Sequence, residues 1–191
     1  MVNFKAELKR RIQDKVYERV CQYYENGEEK PPKPQTPDFE FDQINQDVEF
    51  FNNSWKNAAY IFFSNDLPDC CCDFETTKET MESLNKRNQN KKNCMPKINK
   101  EQFPPLKKHE HGYCLYVGSC KKNIKTRMAH HLGKLSGTYG LHLGEWWTKK
   151  NDTVKIFVLR FENNINKEYL SLIEDSLWES FKPLFGKKGP R

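Results

Sequence analysis

Apolar positions fall into a few short, well-separated patterns along this chain. Leu8, Ile12, Val16 and Val20 recur every four residues between Lys and Glu, which predicts an amphipathic helix over residues 3–24 that ends at Asn26-Gly27. Four prolines (Pro31, Pro32, Pro34 and Pro37) then mark an extended linker, and a second helix is expected over residues 41–55. The run Ala58-Ala59-Tyr60-Ile61-Phe62-Phe63 reads as a buried strand ended by Ser64-Asn65-Asp66. From residue 67 to 110 the chain turns polar, with a helical stretch expected within 76–93 and three prolines further on (Pro96, Pro104 and Pro105). A segment this long between two strands reads as an insertion.

The pattern then tightens. Tyr113-Cys114-Leu115-Tyr116-Val117 is a strand that Gly118-Ser119 should end, and Asn123 is placed to cap a helix over 124–135 with Ile124, Met128, His131/Leu132 and Leu135 along one stripe. Residues 153–161 form the run richest in Val, Ile and Phe, and Asn166 should cap a last helix reaching Phe181 before Pro183. The economical assembly is α/β (α+β): a small three-stranded, mainly antiparallel sheet flanked by helices. Residues 1–56 form an N-terminal helical extension and Pro-rich linker, and residues 57–191 a domain with an insertion at about 67–111. The first helix reads as a packing element or the seam of a homodimer.

Composition changes this picture little, and charge somewhat more. No stretch reaches the roughly 20 apolar residues of a membrane helix, and the first residues lack the apolar run of a signal peptide, so a cytoplasmic protein is expected. The seven cysteines are then mostly thiols. Cys70 and Cys72 with Cys94 and His109 or His111 could in principle hold zinc, but adjacent cysteines do not readily aim at one ion, and ordinary thiols are the better reading. Net charge is +6 and unevenly spread: acids crowd residues 38–49, bases crowd 86–108, 121–134 and 182–191. That distribution suits a face turned to a polyanion, and equally a set of solvated helix faces.

The candidate chemistry lies in residues 115–131. Gly118 permits a tight turn and close backbone approach. Arg127 and His131, four apart on the expected helix, project from one face toward Tyr116, beside Lys121, Lys122, Lys125 and Lys134. Alone, Arg127 would be a solvated helix arginine, and Tyr60 and Tyr116 ordinary strand tyrosines. Together they form a sensible place for a phosphodiester. A second aromatic and basic cluster (Tyr139, His142, Trp146, Trp147, Lys149 and Lys150) could stack bases, although Trp146-Trp147 is better read as a cap on the core.

These residues carry a resemblance. Tyr116-Val117-Gly118, the run to Arg127, then His131-Leu132-Gly133, is similar to the second half-motif and helix of the GIY-YIG nuclease superfamily. The segment from Leu172-Ile173-Glu174-Asp175 to Pro183-Leu184-Phe185 resembles its glutamate-bearing helix. The first half-motif falls on Ala59-Tyr60-Ile61, with Ala59 in place of glycine and some fifty residues before the second. Gly186 stands where the family often has Asn. The resemblance implies a metal-dependent endonuclease acting on double-stranded DNA, of restriction or defence type. Glu174 would hold one Mg²⁺ or Mn²⁺, Arg127 would pair with the phosphate, and Tyr60 or Tyr116 would orient or deprotonate water. His131 would assist proton traffic or hold the phosphate, while Lys121, Lys122, Lys125, Lys134, Lys149 and Lys150 would touch DNA. The departures at Ala59 and Gly186 leave room for two alternatives: a DNA-binding module with a degenerate nuclease fold, and a structure-specific repair nuclease.

Overall fold

Two apolar layers on opposite faces of one antiparallel sheet organise the molecule. The computed structural model describes residues 2–22, 39–45, 51, 55–87, 95–103, 106–136, 139–147, 154–161 and 165–188. In chain order the elements are α1 (Val2–Gln22), β1 (Phe39–Asn45), β2 (Ala58–Ser64), α2 (Phe74–Arg87), β3 (Lys108–His109), β4 (Gly112–Cys120), α3 (Ile124–His131), α4 (Leu143–Trp146), β5 (Lys155–Phe161) and α5 (Lys167–Phe181). The strands lie in the order β1-β5-β2-β4-β3, each pair antiparallel.

The sheet has five strands where three were expected. Its centre, β5-β2-β4, is the expected trio, while β1 and the two-residue β3 extend the two edges. The helix expected over 41–55 is corrected at its start, because Phe39–Asn45 pairs residue for residue with β5. The alternation Phe39-Glu40-Phe41-Asp42 has the period of a strand, and a long partner strand outweighs helical propensity. Residues on both sides of position 56 therefore share one sheet. Linker residues 23–38 lie outside the described residues.

Central β2 explains why Ala58–Phe63 is apolar at every position. Successive side chains point to opposite faces, and here both faces are covered. Ala58, Tyr60 and Phe62 join Tyr116, Ile124, Met128 and Trp146 on one side; Ala59, Ile61 and Phe63 join Phe157, Leu159 and residues of α1 and α5 on the other. The α1 stripe Leu8, Ile12 and Val16 is wholly buried there, packed in the same layer as Ile173 and Leu177. Fully burying each such side chain stabilises by about 1.5–3 kcal/mol. The side chain of Val20 lies outside the described residues.

Between β2 and β4 the register slips by one residue, Phe62 facing Tyr116 and Phe63 facing Cys114, so Leu115 is a bulge. Both expected caps form: Asn123 accepts from Thr126 N and Asn166 from Tyr169 N. The α3 helix closes at His131, short of residue 135, and Leu132-Gly133 turns the chain. The insertion contributes α2, whose Met81 and Leu84 pack into the Tyr60 layer. Trp146 caps that layer, donating Nε1 to Leu141 O at 2.6 Å and packing on Phe185. Among the described residues no helix is long and apolar enough to cross a membrane.

Candidate active site

The site begins with a missing side chain. Tyr60 on β2 faces Gly118 on β4, and a β-carbon on Gly118 would lie 2.7 Å from Tyr60 Cζ and Oη and from Tyr116 Cε1. Glycine is thus required for two phenol rings to lie over the strand at this point. They do so nearly parallel, with 17° between planes and 6.3 Å between centroids.

Helix α3 brings Arg127 and His131 to the same phenol. Arg127 Nε donates to Tyr60 Oη at 3.1 Å, and His131 Nε2 lies 3.1 Å from that oxygen. The backbone N–H of Leu141 donates to His131 Nδ1 at 3.1 Å. A ring nitrogen that accepts carries no proton, so the hydrogen-bond network assigns the proton to Nε2 and makes His131 a neutral donor to Tyr60. Tyr60 Oη therefore receives two N–H groups and keeps its own proton to give. Burial drives the Tyr60 phenol well above its usual range, with the Arg127 charge opposing and that of Glu174 assisting. At neutral pH Tyr60 is a proton donor rather than a waiting base. Arg127 is the cation of this pair and donates to the neutral phenol.

Arg127 is fixed at a second point by Nη1 donating to Tyr139 O at 2.7 Å. It opens into a cleft of about 430 Å³ whose lining includes Lys97, Tyr116, Arg127, Tyr139, Gly186 and Lys187. The far wall comes from distant segments. Ile98 and Phe185 form an antiparallel bridge, Gly186 N donates to Lys97 O at 2.8 Å, and Phe185 N donates to Leu115 O at 2.9 Å. Gly186 sits at φ +111, and a β-carbon there would lie 3.1 Å from Tyr116 Cε2. A side chain is strained in that conformation. The backbone thus reserves position 186 for glycine and leaves no place there for the polar contact of an Asn.

Glu174 reaches the site from the other layer. It lies on α5, is 3% exposed, and accepts at Oε2 from Ser119 Oγ at 2.6 Å. Ser119 follows Gly118 and faces Ala59, so this carboxylate stands one strand position from the Tyr60–Gly118 pair. Glu174 does not line the cleft.

Of the residues singled out in the sequence, Tyr60, Arg127 and His131 meet directly, Tyr116 stacks beside them, and Glu174 adjoins through Ser119. Lys121, Lys122 and Lys134 are exposed and Lys125 half-buried, but none lines the cleft; Lys149 and Lys150 lie outside the described residues. The cleft lysines are Lys97 and Lys187, which fall in the basic runs 86–108 and 182–191 of the sequence but in no motif. In the sequence Ser119 reads as a strand end, and its hydroxyl beside the motif glycine is the local signal for its contact with Glu174.

Among the described residues no three His, Cys, Asp or Glu side chains group as a metal site. His109 Nε2 contacts Phe181 O at 2.9 Å and His111 packs against Phe4, so neither turns to Cys70 or Cys72; Cys94 lies outside the described residues. For a divalent cation the site offers one carboxylate, Glu174, with a hydroxyl beside it. Hard oxygen donors of this kind suit Mg²⁺ or Mn²⁺ held mainly by water and substrate oxygens. Glu174, however, is 3% exposed, accepts from Ser119 and stands outside the cleft lining, so a cation there would require the carboxylate to turn toward the cleft. In comparisons with known proteins, no family model, curated protein or solved structure matches the chain.

Proposed function

We propose that the chain is a metal-dependent endonuclease of the GIY-YIG kind, hydrolysing phosphodiester bonds in double-stranded DNA, with a restriction or defence role. The observation that carries this reading is the convergence of Arg127 and His131 on one buried tyrosine beside a cationic cleft. Arg127, anchored on Tyr60 and Tyr139 O, retains N–H groups to pair with non-bridging phosphate oxygens, where its planar fork fits charge that grows in the transition state. Tyr116, at the cleft, orients the attacking water. Tyr60 and His131 act behind them, holding the guanidinium at a fixed angle. A divalent cation at Glu174 would supply an acidified water and neutralise phosphate charge when bound.

The test is incubation of plasmid DNA with Mg²⁺, repeated with Glu174→Ala and Arg127→Ala. The reading expects cleavage by the wild type alone. Intact DNA across several substrates in both Mg²⁺ and Mn²⁺ would refute the enzyme, and cutting that survives both substitutions would refute the site. A second reading, a DNA-binding module, is favoured by one feature: the cleft lining carries three cations and no carboxylate. Retarded but uncut DNA would select it.

A further inference from the structure

We infer that Tyr139 is a stacking platform for a nucleobase next to the scissile phosphate, so that the substrate is DNA with one base drawn out of its stack. This rests on the DNA reading above and deepens it. Among the described residues the exposed large apolar side chains are Tyr139, at 66%, and Leu135, at 45%. Both lie on the short connection between α3 and α4, and Tyr139 also lines the cleft with Arg127, Lys97 and Lys187. An aromatic face left in water beside three cations matches a nucleotide: phosphate on the guanidinium and ammonium groups, base on the ring.

The ring stands on a fixed pedestal. The carbonyl of Tyr139 is held by Arg127 Nη1 at 2.7 Å. Gly140 follows so tightly against α3 that a β-carbon there would lie 3.2 Å from His130 O. Leu141 N is then tied to His131 Nδ1. The backbone from Tyr139 to Leu141 is thus anchored to the two α3 residues of the site, so this stretch has little backbone freedom left to lose when a base stacks. The same residue sets the guanidinium and presents the ring, which fixes the distance between phosphate and base.

In an intact duplex both faces of a base are covered, so contact with Tyr139 requires unstacking. That cost is least where the base is already mismatched or bulged. The experiment measures binding of labelled oligonucleotide duplexes by fluorescence anisotropy in EDTA, where no strand is cut. It compares a perfect duplex, one with a single mismatch, and one with a tract of abasic sites of equal charge. Wild type is expected to bind the mismatched duplex more tightly than the perfect one. Tyr139→Ala is expected to lose that preference and to bind the mismatched duplex about tenfold more weakly, the scale of one base–aromatic stack. Tyr139→Phe, which keeps the ring, is expected to restore both. On the abasic duplex wild type and Tyr139→Ala should be equal. Equal binding of the mismatched duplex by Tyr139→Ala and wild type would overturn the inference while leaving the DNA reading intact. So would an equal loss on the abasic duplex, which would make the ring a prop for the cleft. Failure of the wild type to bind any duplex would overturn the DNA reading and this inference with it.

Discussion

Arg127 and Tyr139 are joined backbone to side chain: the guanidinium Nη1 donates to the tyrosine carbonyl at 2.7 Å, while Nε of the same group donates to Tyr60. One cation therefore ties β2, α3 and the loop after α3 together. Its direction is set by two acceptors before any ligand arrives, which is the preorganisation that charge stabilisation needs.

Gly118→Ala should destabilise the fold and abolish cleavage. Its β-carbon would meet Tyr60 and Tyr116 at 2.7 Å, and the Tyr60 ring cannot swing away while Arg127 and His131 hold it. Overpacking of this kind costs about 1–3 kcal/mol. Urea unfolding measures the first effect and plasmid cleavage the second; a variant as stable as wild type would show that the rings yield.

Tyr60→Phe keeps the ring and removes the acceptor shared by Arg127 Nε and His131 Nε2. Leaving buried donors unpaired costs about 1–3 kcal/mol. Lower stability together with lost cleavage is expected, by denaturant titration and single-turnover assay. Unchanged cleavage would remove Tyr60 from the machinery.

If Glu174 holds the cation as proposed, Ser119→Ala should raise the Mg²⁺ concentration needed for half-maximal cleavage by on the order of tenfold, since groups that orient a metal ligand act on affinity. The hydroxyl is a direct donor to Glu174 Oε2. A metal titration of cleavage at saturating DNA reads this, and an unshifted curve would leave Glu174 held by other groups.

Stability should fall as pH drops below about 6.5. Burial lowers the imidazoles of His109, despite its bond to Phe181 O, and of His111 below their ordinary value. A lowered folded pKa means that the unfolded chain takes up protons first, so stability is full above the unfolded value and is lost on going below it. Urea midpoints between pH 7.5 and 5.5 should show the loss. His111→Phe should reduce it, because the ring lies 4.0 Å from Phe4 and 4.9 Å from Phe157 and its buried Nε2 has no hydrogen-bond partner. An undiminished fall in that variant would place the titration elsewhere.

Much of this arrangement was legible locally. The caps at Asn123 and Asn166, the stripe Leu8-Ile12-Val16 and the apolar runs of β2 and β5 are short-range signals, and each produced its element. The spacing of Arg127 and His131 placed both on one face of α3, where they meet Tyr60. Other features depend on partners far along the chain. β1 alternates Phe39-Glu40-Phe41-Asp42, yet only pairing with β5 decides between strand and helix. Lys121, Lys122 and Lys134 read as phosphate contacts because they flank the motif, but the cleft opens toward Lys97 and Lys187, which a bridge between Ile98 and Phe185 delivers. The positive φ of Gly186 was equally invisible, since nothing in the residues around it demands that turn.

The bridge between Ile98 and Phe185 also orders events in time. Phe185 follows every other residue of the cleft in the chain save Gly186 and Lys187, and its partners Ile98 and Leu115 are made long before it. During synthesis the tyrosines, Arg127 and His131 can gather while one wall of the cleft is still missing. The cleft is therefore closed only when residues 185–187 dock on Lys97, Ile98 and Leu115, after the groups that converge on Tyr60 are already in place.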